Sequence, residues 1–283
     1  MFLCCRELEV KTVRKLLAFR TVIGQGIQQD GGSEVGSTHR DNPSEASMSM
    51  TVSVPVGIAP RRVLYMGLSV VMALIAIVGF WPRYFGPLVL GTLVQPLLIH
   101  IHATVFTGWL VLFFLQAYFA ATKRIQLHMT LGRLGIWYGL LLIVVGLTTG
   151  MVRAAAAPPA QAPRLLYVSV ADMAMFGGFF AAAIWFRKKP KVHRPAMVVA
   201  ATALLVAAVG RMTFLPPNGA IRLAIWSLPI LIAMASEFRK TGRVHPIYFL
   251  GLGVFVIRRY SVPVIIATDA WGSFARWVFG LVA

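Results

Sequence analysis

The chain has 283 residues, of which 58% are hydrophobic and only 13% are charged. Soluble domains average about 25% charged residues, so this composition excludes an ordinary water-soluble globule. The formal net charge of +18 would also fit a nucleic-acid-binding protein. Residues 46–283, however, carry 21 basic residues in short gaps between apolar runs, against three acidic residues. This distribution is typical of topology signals in a polytopic membrane protein, and it excludes a nucleic-acid partner.

Residues 1–47 form a polar leader without a long apolar run. Its second half is rich in Gly and Ser, a composition typical of disordered segments. It lacks the apolar core of about 7–15 residues that a secretory signal requires, so no cleaved signal is predicted. Two interpretations stay open, namely a translated, disordered leader and a true start at Met48 or Met50.

Six apolar segments within residues 48–246 are long enough to cross a bilayer. With 19 to 25 residues each, they extend about 28–38 Å as helices, against a hydrocarbon core of about 30 Å. Lipid cannot satisfy backbone hydrogen bonds, so the sequence predicts an all-α transmembrane helical bundle. Residues 85–96 are too short to span and are predicted to form an interfacial or re-entrant turn. The predicted spans are residues 63–81, 97–121, 134–152, 165–186, 196–214 and 220–238.

The C-terminal region, residues 247–283, leaves a seventh span open. Residues 247–257 are too short to cross before Arg258 and Arg259, unless these arginines snorkel to the interface. Thr268 is a good cap for a following helix, which is predicted to be amphipathic and interfacial. The apolar residues on one face of that helix are Trp271, Phe274, Val278 and Leu281.

The basic residues in the gaps predict the orientation. With a cytoplasmic N-terminus, thirteen arginines and lysines fall on the inner side and five arginines on the outer side. The sequence therefore predicts a multi-pass protein of the bacterial inner membrane. Aromatic belts place Trp81 and Trp226 near the outer interface, and Trp137 and Trp185 near the inner one.

The second span carries a polar and aromatic stripe with spacings of 4, 3, 4 and 3 residues. This spacing keeps all members on one helical face, which we expect to face the bundle interior. His100 points to roughly the opposite face. Ordinary aromatic packing around one hydrogen-bonded histidine explains the stripe as well as a functional role does. Its members are His102, Phe106, Trp109, Phe113 and Gln116.

Three ionisable residues on three spans lie at similar depth. His102, Asp172 and Arg211 are expected about 5–11 Å below the outer ends of their helices. An unpaired, ionised Asp172 would be costly in this setting, so the three residues are predicted to cluster. The cluster fits a structural ion-pair network, a proton or ligand site, or a cofactor environment. His100 and Gln116 are secondary candidates for this polar cluster.

Two histidines precede the third and fifth spans on the inner side. His128 and His193 lie at equivalent depth on parallel helices, in what resembles a degenerate internal repeat. Two neutral imidazoles at equal depth suit a bis-histidine haem b or a quinone headgroup. The competing interpretation is a pair of ordinary histidines at a basic headgroup boundary. No metal-ion site is predicted, because Cys4 and Cys5 are adjacent in the leader and lack further ligands.

Residues 62–280 resemble an uncharacterised family of bacterial multi-pass membrane proteins. The resemblance rests on the run from His102 to Gln116 with Leu127-His128-Met-Thr-Leu-Gly132, on His193-Arg194-Pro-Ala-Met197 with Arg211, and on Gly242-Arg243-Val-His245-Pro246. It implies the architecture of a membrane bundle but no mechanism. Because it excludes the leader, it favours a start at Met48 or Met50. A looser likeness to haem-binding b-type cytochromes rests on the intramembrane histidines alone.

Function is predicted only by class. The favoured role is a membrane redox or cofactor-binding protein, with haem or quinone at His128 and His193 and an outer polar site around Asp172. A small-solute transporter or channel is the first alternative, and a non-catalytic assembly or interaction protein is the second. Enzymatic activity is left open, because familiar hydrolase and nucleotide-binding motifs are absent. The lipid bilayer is the expected partner, and a homo-oligomer or a redox partner is left open.

Overall fold

The computed structural model describes residues 60–282, so the predicted leader and the starts at Met48 and Met50 lie outside the described residues. Over that range every regular element is helical, which confirms the all-α prediction. The helices are α1 (Pro60–Phe80), followed by a π-helical turn (Trp81–Phe85), α2 (Gly86–Val89), α3 (Leu97–Ala121), α4 (Ile125–Ala155), α5 (Ala162–Trp185), α6 (Pro190–Ala203), α7 (Val206–Arg211), α8 (Gly219–Thr241), α9 (Pro246–Ile266) and α10 (Asp269–Val282).

Seven helical segments between residues 60 and 282 are long and apolar enough to cross a membrane, so the chain is a polytopic membrane protein by length and composition. The seventh is α9, whose 21 residues continue through Arg258 and Arg259. This resolves the question that the sequence left open. Helices α1, α4, α7 and α9 have their C-terminal ends at the same end of the bundle, which we call the upper end. We call the opposite end the lower end. The sequence predicts the upper end as the outer one.

The fifth span is interrupted. It consists of α6 and α7, and Leu204 and Leu205 form a turn between them. Near the break, the carbonyl of Thr202 accepts hydrogen bonds from Leu205 N (3.0 Å) and from the indole Nε1 of Trp226 (2.9 Å). A buried carbonyl at a helix end must find a partner. The indole of α8 therefore stabilises a break that the apolar run alone did not predict.

Trp226 lies in the core of the bundle and is only 2% exposed. Its ring stacks on Phe255 of α9, with centroids 4.0 Å apart and planes 3° from parallel. The prediction that Trp226 belongs to an interfacial belt is therefore wrong, because its hydrogen bond and its ring both have partners inside the bundle. Trp81, Trp137 and Trp185 are 51%, 72% and 81% exposed, as a belt requires.

Helix α1 packs on different neighbours at its two ends. In its lower half, Leu68 and Met72 share one buried cluster with Phe113 of α3. Near its upper end, Gly79 lies directly against the backbone of Ala208 in α7, where even a methyl group would overlap the carbonyl. The glycine thus allows a close helix contact that draws the top of α1 toward α7.

Helix α10 packs across the upper ends of α4 and α5. Thr268 caps it as predicted, since its hydroxyl accepts from Trp271 N at 3.2 Å. The indole of Trp271 donates to the Pro163 carbonyl at 3.0 Å, and Val278 is buried in the same contact. Phe274, predicted on the same apolar face, is 40% exposed. The position of this helix at a membrane interface stays a prediction.

Replacing Gly79 tests the contact between α1 and α7. We expect Gly79→Ala to lower stability by about 1–3 kcal/mol, because the added methyl overpacks against the Ala208 backbone. Gly67→Ala in the same helix is the matched control, because a Cβ there meets nothing within 4 Å. Thermal unfolding in detergent should show a lower midpoint for Gly79→Ala only. Equal effects of the two variants would contradict the assignment.

Candidate functional site

A large cavity occupies the upper half of the bundle. Its volume is about 1570 Å³, and its wall includes residues of α1, the π-helical turn, α3, α4, α5, α7, α8 and α9. Such a volume exceeds the roughly 300–1,000 Å³ of most small-molecule sites. The cavity is therefore the natural place to examine the predicted polar cluster, and His102, Asp172 and Arg211 all line it.

The charge of the cavity wall is strongly one-sided. It contains seven arginines and one carboxylate, that of Asp172. Arginine presents a planar fork of donors that matches carboxylate and phosphate groups. Within a membrane-spanning bundle, such a concentration of cations is a functional hypothesis by default. The seven arginines are Arg83, Arg153, Arg164, Arg211, Arg222, Arg258 and Arg259.

Asp172 of α5 forms an ion pair with Arg258 of α9. Arg258 donates from Nε and Nη2 to the two carboxylate oxygens, at 2.7 and 2.9 Å. The side chains are only 10% and 14% exposed, so the pair is largely removed from the surroundings. The sequence grouped Asp172 with His102 and Arg211, but its partner is Arg258. The sequence did contain a signal for this pair, because an acidic residue lies inside one span and an arginine lies near the middle of another apolar segment.

Arg222 and Arg211 are largely occupied by backbone carbonyls. Arg222 donates to the carbonyls of Val209, Met212 and Leu215 at 3.0, 3.2 and 3.1 Å, and so caps the C-terminal end of α7. Arg211 donates to the Ala207 carbonyl at 2.8 Å. Both arginines thus also stabilise the short helix that completes the fifth span.

The remaining positive charge is not neutralised within the described part of the chain. Across residues 60–282, the side chains of Arg83, Arg153, Arg164 and Arg259 have neither a hydrogen bond nor an ion pair. Arg83 and Arg153 are close enough to Arg211 for their charges to interact, and His102 also lies within reach of Arg153. Like charges at such range repel, more strongly where water is scarce. An anion placed among them would relieve this repulsion.

Two polar atoms in the cavity wall lack partners. The His102 Nδ1 and Thr149 Oγ1 atoms are buried and make no hydrogen bond with any described residue. The imidazole of His102 stacks on Phe106, with centroids 4.1 Å apart. An unmade hydrogen bond on a buried polar group costs about 1–3 kcal/mol. A polar guest in the cavity would satisfy both atoms.

The rest of the α3 stripe does not line the cavity. Trp109 and Phe113 are buried, and the Trp109 ring packs edge-on against Phe176 and Phe180 of α5. The side-chain amide of Gln116 is buried without a hydrogen-bond partner among residues 60–282. Outside the stripe, His100 makes a 3.1 Å hydrogen bond between its Nδ1 atom and the Tyr84 hydroxyl. His100 therefore joins the start of α3 to the π-helical turn.

The two lower histidines share one hydrogen-bond arrangement. The His128 Nδ1 atom lies 3.1 Å from the Gln116 carbonyl, and the His193 Nδ1 atom lies 2.8 Å from the Ala183 carbonyl. A carbonyl only accepts, so both bonds require Nδ1–H, which leaves a lone pair on each Nε2 when the ring is neutral. The two rings are close enough for their charges to interact. A haem or quinone at this pair stays a prediction.

Comparisons with known proteins add no assignment. No protein-family model, no curated protein and no solved structure matches this chain. In the part of the chain that the structure describes, no group of three or more His, Cys, Asp or Glu side chains could hold a metal ion. The function must therefore be argued from the geometry and charge of the bundle itself.

Breaking the Asp172–Arg258 pair tests its role in stability. We expect Asp172→Asn to destabilise the bundle by about 3–5 kcal/mol, because Arg258 would remain buried without its counter-charge. The double variant Asp172→Asn with Arg258→Met should recover part of that loss, since it removes the orphaned cation. Thermal unfolding in detergent provides the comparison. A double variant less stable than the single one would contradict this account.

Proposed function

We propose that the protein binds an anionic ligand in the upper cavity, as a membrane transporter or binding protein for an acidic solute. The observation that carries this proposal is the excess of six arginines over carboxylates in the cavity wall, from seven arginines and one aspartate. Among the roles considered from the sequence, it develops the small-solute alternative. Lipid-facing helices surround the cavity, so a ligand would be held within the bundle rather than on its surface.

The arginines of the cavity wall differ in whether they already have a partner, and this difference supports the proposal. Arg222 donates hydrogen bonds to backbone carbonyls, and Arg258 is paired with Asp172, so both have a structural role in the cavity wall. Arg83 and Arg153 have no such partner within residues 60–282 and are exposed at the upper end. Their guanidinium groups are the first that an acidic ligand would meet. His102 and Thr149 would then supply polar contacts below them.

Replacing the unpartnered arginines tests the proposal. We expect Arg83→Gln and Arg153→Gln each to weaken binding of inorganic phosphate or a short-chain carboxylate about tenfold or more, because a hydrogen bond to a charged group contributes about 1.5–3 kcal/mol. Calorimetric titration of the purified protein in a neutral detergent measures the affinity. Arg239→Gln at the lower end is the matched control, since Arg239 is exposed and outside the cavity.

Two results would contradict anion binding. One is the absence of measurable affinity of the wild-type protein for either class of anion. The other is an equal loss of affinity in Arg239→Gln and Arg153→Gln, which would indicate a general effect of net charge.

A second candidate is the redox role favoured by the sequence, with haem b held by His128 and His193. Its specific support is the pair of Nδ1–H bonds to backbone carbonyls, because metal-binding histidines commonly use this bond to fix the ring and expose Nε2. A haem there would supply one-electron chemistry. The chain would contribute the two imidazoles, and Gln116 would lie beside them with an unpartnered amide.

An absorption spectrum tests the haem candidate. We expect protein purified after haem supplementation to show a Soret band, and sharp visible bands on dithionite reduction. His128→Ala and His193→Ala should each abolish the bis-histidine spectrum because one axial ligand is lost. His100→Ala is the control, since that histidine bonds Tyr84 at the upper end. A colourless supplemented protein, or a spectrum unchanged by either substitution, would exclude ligation by this pair.

A further inference from the structure

We infer that the ligand of the upper cavity is an amphiphile whose phosphate-bearing headgroup has a net negative charge, and that it enters sideways from the bilayer between α1 and α3. The inference rests on the proposed anion-binding function and specifies its substrate class. Its basis is that the same cavity is cationic at its upper end and apolar and open along one side.

The open side is visible in residues that both line the cavity and face outward. On α1 these are Val70, Leu74 and Ile77, which are 46%, 55% and 42% exposed, and on α3 it is Val111, which is 54% exposed. Residues that line the cavity and also remain about half exposed mark the stretch where lateral access would occur. Both helices are membrane spans, so the opening faces the acyl region of the bilayer.

The packing of α1 explains why the opening lies there. Lower on α1, Leu68 and Met72 belong to the same large buried cluster as Phe113 of α3. Its upper end is held against α7 by the contact of Gly79 with Ala208. The top of α1 is thereby fixed to α7, and the π-helical turn above it is tied to the start of α3 by the hydrogen bond between Tyr84 and His100. The wall between α1 and α3 that lines the cavity lies between these contacts.

Small side chains keep this opening wide. Ala73 and Ala76 of α1, and Ala103 and Thr107 of α3, line the cavity. Larger residues at these four positions would fill the space between the two helices. The apolar wall of α1 runs from Ser69 to Phe80, a rise of about 16 Å at about 1.5 Å per residue. A small soluble anion occupies only a fraction of this length, whereas an acyl or isoprenoid chain fits along it.

The cationic end sets the chemistry of the headgroup. Arg83 and Arg153 have no partner among residues 60–282, and both interact electrostatically with Arg211. Several guanidinium groups in one cavity wall suit an anion with several acceptor oxygens, and arginine is the preferred residue for bidentate recognition of such a group. A phosphate ester at the membrane interface meets this requirement, with its chain directed into the apolar part of the cavity.

Native mass spectrometry in a neutral detergent tests this inference. The probes are phosphatidylglycerol, phosphatidylcholine and inorganic phosphate, the last measured by calorimetry. We expect phosphatidylglycerol to bind at least about tenfold more tightly than phosphatidylcholine. Ala103→Trp should reduce phosphatidylglycerol binding about tenfold by filling the opening, and should leave inorganic phosphate binding unchanged. Ala73→Phe gives the same readout from the other side of the opening if Ala103→Trp does not fold.

The matched control is Val144→Trp on α4. Val144 is 60% exposed and does not line the cavity, so this substitution places the same tryptophan side chain on the outer surface of the bundle. Equal binding of the two lipids would overturn the anionic headgroup, and unchanged phosphatidylglycerol binding in both opening variants would overturn lateral entry. In either case, binding of inorganic phosphate would still support the proposed function. If the wild-type protein bound neither inorganic phosphate nor phosphatidylglycerol, the proposed function would be overturned as well.

Discussion

The buried ion pair between Asp172 and Arg258 is the interaction on which the upper half of the bundle depends. It joins α5 to α9 through two charge-assisted hydrogen bonds, in surroundings where either charge alone would be costly. Because Arg258 finds its counter-charge inside the bundle, α9 can pass through the arginine pair and form a seventh span. The indole of Trp226 in α8 stacks on Phe255 of α9, so the ion pair attaches α9 to α5 and the aromatic contact attaches it to α8.

Pairing Asp172 with Arg258 leaves the rest of the cavity without a carboxylate. Among residues 60–282, the side chains of the other six arginines in the wall contact backbone carbonyls or aromatic rings, or have no hydrogen-bond or charge partner. A wall of this kind is stable only if water, counter-ions or a ligand compensate the charge. The internal ion pair therefore explains both the stability of the bundle and the affinity for anions that we propose. It also separates arginines that build the wall from arginines available to a ligand.

Sequence reasoning predicted those parts of the fold that depend on local composition. Continuous apolar runs identified α3 to the residue, because no charge interrupts residues 97–121. The seventh span was left open because Arg258 interrupts its apolar run, and its partner Asp172 lies 86 positions away. The break at Leu204 and the burial of Trp226 involve tertiary contacts, a hydrogen bond to Thr202 and stacking on Phe255, which no local pattern encodes. The cavity itself was not predicted. The sequence indicated that His102 and Arg211 lie at similar depth, but the excess of arginines becomes apparent only when the residues of all the lining helices are considered together.

The most direct test of the central claim is an electron cryomicroscopy map of the protein in nanodiscs that contain phosphatidylglycerol. The account predicts headgroup density about 2.7–2.9 Å from the guanidinium nitrogens of Arg83 or Arg153. It also predicts that chain density continues from there between α1 and α3. A map in which these guanidinium groups point away from the cavity, with no density among them, would contradict the claim that this bundle holds an anion.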